Sequence, residues 1–144
     1  MEESALLDVL LKNYPSNQSA CLRGISLVCP SRQLMKASQM ADTCKILCIT
    51  INAALCVYVV PSEKKSSDYI VIPGKFCSCM YFFENVIKGK TNWTCKHDLA
   101  VRLKLGLCDA PMEQASSDRL LAELRKQHPP FCPLTTIQHY LQHG

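Results

Sequence analysis

The chain has 144 residues, 48% of them apolar and 19% charged, with a net charge of +4 and ten cysteines. That is one domain's worth of chain with a modest core, too apolar for wholesale disorder. No positively charged start leads into an apolar signal core, and no apolar stretch approaches the ~18 residues of a membrane span. The expectation is a protein that is neither secreted nor membrane-bound, with its thiols reduced.

Taken in chain order, the elements begin with a helix over Ser4–Tyr14, where Leu7, Leu10, Leu11 and Tyr14 recur at helical spacing before Pro15. A second helix starts near Pro30-Ser31, with Leu34, Met35, Ala41 and Cys44 on or beside its inward face. Lys45–Ile51 and Leu55–Val60 are β-branched and apolar, and predict a hairpin closed through Asn52-Ala53-Ala54. Asp68–Ile72 reads as a third strand, stopped by the turn pair Pro73-Gly74. Met80–Ile87 is apolar and open between helix and strand. Helices follow over His97–Leu107 and Ser117–Gln127, the latter with a Leu120, Leu121, Leu124 stripe. A last short helix is expected at about Thr135–Gln142. No internal repeat is visible.

The most informative feature is Cys77-Ser78-Cys79 followed, fifteen residues later, by Cys95-Lys96-His97. Three potential thiolates and one imidazole are the ligand set of a closed, tetrahedral structural zinc site with no position left for a reactive water. The single-residue spacing within each pair departs from the common Cys-x2-4-Cys knuckles. Cys77 and Cys79 need a bend to reach one ion, which Gly74 upstream can provide, and Cys95 stands at a helix start, where free backbone N–H groups favour a thiolate. One Zn²⁺, bound by Cys77, Cys79, Cys95 and His97, is expected to pin the 80–94 loop and the following helix onto the strands.

This C-x-C…C-x-H arrangement resembles the SWIM zinc finger. Its continuation Cys95-Lys96-His97-Asp98-Leu99-Ala100, with alanine three residues past the histidine, is similar to the small SWIM proteins of Shu-type complexes. The resemblance covers about residues 45–107. It implies an α+β fold, a small antiparallel sheet with a SWIM zinc finger flanked by helices. Within a single compact domain, 1–44 is an N-terminal helical segment, 45–107 holds the strands and finger, and 108–144 is a C-terminal helical segment. It further implies a non-enzymatic, nuclear protein that pairs with a RecA-like recombinase paralogue. The pair promotes assembly or stability of the recombinase filament on single-stranded DNA in homologous-recombination repair. Ala100, with Leu99 and Leu103, is then the expected contact with that partner.

Charge gathers in the finger. Residues 62–104 carry eight basic side chains against four acidic ones, the whole net charge of the chain. The alternative reading is therefore a stand-alone zinc-dependent nucleic-acid-binding module, with Lys88, Lys90, Lys96, Arg102 and Lys104 meeting phosphates. Cys21, Cys29, Cys44, Cys48, Cys56, Cys108 and Cys132 lack paired spacing and suit a core. His128, Cys132, His139 and His143 form a second, weaker metal-ligand pattern. Gly89-Lys90-Thr91 imitates the end of a phosphate-binding loop, but Glu84 stands where its first glycine belongs. No catalytic constellation is apparent in the sequence.

Overall fold

The computed structural model describes residues 2–13, 16–62, 67–107 and 112–126. The helices are α1 (Glu2–Asn13), α2 (Gln18–Ser26), α3 (Ser31–Thr43), α4 (Lys96–Leu107) and α5 (Ser117–Lys126). The strands are β1 (Leu47–Asn52), β2 (Leu55–Val60), β3 (Tyr69–Ile72), β4 (Phe76–Cys77) and β5 (Glu113–Gln114), and Phe82–Lys88 forms a π-helix. The α+β class holds. The sheet, ordered β4-β3-β2-β1-β5, is mixed, where a small antiparallel sheet was expected. Its first four strands are antiparallel neighbours, while β5 runs parallel to β1, pairing Leu47 with Glu113 and Cys48 with Gln114. Two exposed polar residues carry no strand signal; β5 exists because the edge of β1 offers it backbone partners.

The strands read as nearly continuous apolar runs because both faces of the sheet are covered. Cys48, Tyr58, Val60, Val71 and Cys77 pack toward Val101 of α4 and Phe82 of the π-helix. Their neighbours Ile49, Val57, Val59, Ile70, Ile72 and Phe76 pack against Leu120 and Leu124 of α5. Leu121, expected in that stripe, is half-exposed. Glu123 takes an inward place instead, fully buried, where it accepts from the Asp68 N–H and Arg119.

A second core lies beyond α4. Leu7 and Leu11 of α1, Cys21 and Ile25 of α2, Leu34, Ala37 and Ala41 of α3, and Trp93 close on Leu99, Ala100 and Leu103. The segments 1–44 and 45–107 thus share one core. Helix α2 was not visible in the sequence. No element is predicted between Pro15 and Pro30, yet the Asn17 side chain caps a helix there by accepting from the Ala20 N–H at 3.1 Å. In α3 the buried row is Leu34, Ala37 and Ala41, while Met35, one position round the helix, is exposed.

Candidate metal centre

The first half-site is aimed by a turn. Ile72 accepts from the Lys75 N–H at 2.9 Å, with Pro73 and Gly74 as the central residues and Gly74 at φ +76°. That is the type II pattern, which requires glycine at its third position. The turn reverses the chain into β4, whose Cys77 faces α4. Ser78 keeps the next residue in register: its N–H donates to Ile70 O at 3.0 Å and its Oγ accepts from the Ile70 N–H at 2.9 Å. The chain then bends into a helical turn, which brings Cys79 back to the same side. Cys79 Sγ accepts from the Phe82 N–H at 3.3 Å.

Met80–Ile87, open between helix and strand in the sequence, is helical and widens into the π-helix. The Gly89 N–H closes it on Glu84 O at 3.0 Å, and a Cβ at Gly89 would lie 2.7 Å from that oxygen. Only glycine fits this closing position.

The second half-site sits on the first turn of α4. Cys95 immediately precedes the helix, and its Sγ accepts from the Asp98 N–H at 3.4 Å. Two of the three sulfurs therefore each receive a backbone N–H from three residues onward, as a helix cap does. Residues i and i+2 inside a helix diverge, but Cys95 stands outside it, so its Sγ comes within 4.0 Å of His97 Nδ1. Cys77 Sγ lies 3.8 Å from the same nitrogen. Tyr69 stacks on the imidazole with ring centroids 4.0 Å apart, fixing its plane.

The ligand atoms of Cys77, Cys79, Cys95 and His97 all lie within 4.8 Å of one another, and all four residues are buried. The sequence-predicted set is thus assembled in full and could hold a metal ion. Its electrostatics point the same way. Burial pushes the Cys77 and Cys95 thiols well above the ordinary cysteine value, while hydrogen bonds from Cys77 and Cys95 pull Cys79 down. Three sulfurs this close hold one negative charge easily and three only around a cation.

Behind the ligands lies a polar network that the sequence reading missed. Asp98, 1% exposed, accepts from the Gly74 N–H at 2.9 Å and the Thr94 hydroxyl at 2.7 Å. It therefore ties the turn before Cys77 to the segment before Cys95. Burial pushes its carboxyl up, opposed by Arg102, 3.8 Å away. Arg102 also donates to Asp8 Oδ1 at 2.8 Å and to Ser4 Oγ and O, and its guanidinium lies 5.9 Å from the Trp93 ring centroid. The one advance signal was the i, i+4 spacing of Asp98 and Arg102.

Other expectations need correction. Leu99, Ala100 and Leu103, expected at a partner surface, are 0%, 0% and 2% exposed and belong to the helical core. Their apolar side chains find α1 and α3 within the chain itself. Arg102, expected at phosphates, is buried and ion-paired, and Lys104 Nζ donates to Cys44 O at 3.1 Å. Lys88 and Lys90 are exposed and Lys96 is half-buried. Cys21, Cys29 and Cys48 are core residues, whereas Cys44 and Cys56 are half-buried. Cys108 and the His128, Cys132, His139, His143 pattern, like the helix at Thr135–Gln142, lie outside the described residues.

No protein-family model, curated protein or solved structure matches the chain.

Proposed function

We propose that Cys77, Cys79, Cys95 and His97 bind one structural Zn²⁺, and that the chain is a SWIM-type zinc-finger protein. On this reading it is a nuclear, non-enzymatic subunit of a Shu-type complex. It pairs with a RecA-like recombinase paralogue and promotes filament assembly or stability on single-stranded DNA during homologous-recombination repair. The observation that carries the reading is the convergence of these four side chains on one buried point in the order C-x-C…C-x-H. A tetrahedral zinc ion, with bonds of about 2.3 Å to sulfur and 2.0 Å to nitrogen, sets its donors roughly 3.5–3.8 Å apart. The cluster is slightly wider than that tetrahedron, and soft thiolates with one imidazole suit zinc over magnesium or calcium. Four protein donors fill the ion's coordination, so a stabilising role is favoured over a hydrolytic one.

Ala100 enters this reading indirectly. It seats α4 against α1 and α3, so the partner meets a surface other than Leu99, Ala100 and Leu103. Two measurements test the proposal. Elemental analysis of purified protein should return one zinc per chain, and metal content near zero in well-folded protein would refute the site. Affinity capture from nuclear extract with mass spectrometry should recover a RecA-like protein. Its absence with the wild-type chain would end the recombination assignment and leave the zinc site standing.

A further inference from the structure

A cleft of about 470 Å³ opens against the metal centre, between the first turns of α3 and α4 and the entry to the π-helix. Cys79, Cys95 and His97 line one side of it. Arg32, Gln33 and Lys36 of α3 and Lys96 of α4 also line it, with Pro30, Tyr69, Met80 and Tyr81, and among the described residues no acidic side chain borders it. Arg32 and Lys36 stand four residues apart and so share one helix face.

What sets these three cations together is their place around one cleft. Lys45, Arg102 and Arg119 are ion-paired, and Lys104 is bonded to a carbonyl. Among the described residues, Arg32, Lys36 and Lys96 make no ion pair and no side-chain hydrogen bond. Helix α3 adds to the same field, because its first turn has no acidic residue and no side-chain cap. The acid in the first turn of α4, Asp98, is turned inward to Gly74 and Thr94.

The cleft also has a flat wall. Tyr81 is 44% exposed, and its hydroxyl accepts from Asn92 Nδ2 at 2.8 Å. Asn92 in turn donates to Gln33 of α3 at 3.4 Å, so the ring is tied to both sides of the opening. Met80 beside it is 58% exposed. An aromatic platform held in place next to three unpaired cations matches one ligand chemistry well: a planar base joined to a phosphate. A simple anion would have no use for the ring, and the carboxylates of an acidic peptide bring no ring of their own to lay on it.

We propose that this cleft binds a nucleoside phosphate, with the base on Tyr81 and the phosphate met by Arg32, Lys36 and Lys96. The site goes beyond the zinc and partner assignments and does not require a RecA-like protein. It also relocates the nucleic-acid contact, since Lys88, Lys90, Arg102 and Lys104 do not border the cleft. The nucleoside phosphate has two sources, a free mononucleotide or one nucleotide of a single strand.

The test is equilibrium binding of labelled oligothymidylate and of mononucleotides to the zinc-loaded full chain. Wild type should bind saturably. Binding to the strand without the mononucleotide identifies the strand as the source, and binding to both identifies the nucleotide itself. Removing two cations in Arg32→Ala/Lys36→Ala should weaken strand binding at least tenfold and flatten the salt dependence by about 1.4 in log–log slope. Tyr81→Ala should weaken it at least fivefold. Zinc content and melting should stay unchanged in both, and Lys88→Ala/Lys90→Ala should bind within twofold of wild type. No saturable binding to either probe would overturn the proposal, as would unchanged affinity in the α3 double variant. Competition by a polyglutamate peptide as effective as by nucleotide would assign the cleft to acidic peptides instead. Partner capture by the α3 variant is read separately, so loss of the nucleotide site is distinguishable from loss of the partner assignment.

Discussion

Two buried polar clusters share helix α4, and only one of them carries its compensating cation within the chain. At its N-terminal end three sulfurs and an imidazole converge, and among the described residues no lysine or arginine is hydrogen-bonded or ion-paired to them. One turn along, Asp98 is met by Arg102, which also reaches Asp8 and Ser4 of α1. The carboxylate cluster carries its own positive charge in the chain, while the cysteine cluster could take one from a metal ion. Buried charge is tolerated in both places only when it is compensated. The difference is geometric. A guanidinium is a planar fork that suits carboxylates and a main-chain oxygen, whereas four donors around one point suit a spherical ion.

The largest effect is expected where the cation would come from outside. Metal-binding energy in zinc-finger peptides is folding energy, on the order of 10 kcal/mol, so Cys95→Ser should abolish both metal content and the cooperative melt. Acidification should act in the same direction, because thiolates must shed protons to hold a metal. Elemental analysis alongside circular-dichroism melting checks both, and an unchanged melt in Cys95→Ser would mean that the thiolate cluster is not what stabilises α4.

A smaller loss is expected in the self-compensated cluster. Arg102→Met strands Asp98 without its cation at 1% exposure, a loss of about 3–5 kcal/mol in denaturant unfolding. Adding Asp98→Asn should recover part of that loss, since the stranded charge is then gone. Metal content should survive in the folded fraction of Arg102→Met. If metal leaves in step with stability, the two clusters are one unit and the contrast between them dissolves.

Smallest is the change that touches neither charge. Ala100 is fully buried between the two clusters' helix and its neighbours, so Ala100→Thr should cost about 1–3 kcal/mol by overpacking. Recovery of the proposed partner should fall no further than stability does. Recovery lost at unchanged stability would return Ala100 to the interface and contradict its place in the core.

Much of the site was legible because its information is local. Cys77, Cys79, Cys95 and His97 announce themselves by residue type and spacing, and Pro73-Gly74 announces the turn that aims the first pair. The β1–β2 hairpin, β3, α1 and α3 follow from periodicity and breakers in the same way. What escaped depends on contacts distant in the chain. Helix α2 is held by Cys21 and Ile25 packing in the core with α1, α3 and α4. Strand β5 has no propensity of its own, and the Arg102 contact with α1 spans more than ninety residues of sequence.

The row Leu99, Ala100, Leu103 shows the limit most clearly. An apolar face on a short helix states that something must cover it, and nothing in the residues themselves says whether that cover is a partner or the same chain. The tertiary structure decides for α1 and α3. It likewise turns Arg102 inward and leaves Arg32 and Lys36, unremarkable in the sequence, facing a cleft beside the candidate metal ligands. The sequence by itself determined the donor set, since a metal ion's preference for sulfur and nitrogen is a property of single side chains. Which charges are left open to solvent is settled by packing, because an ion pair or a free cation depends on what the fold brings within a few ångströms of it.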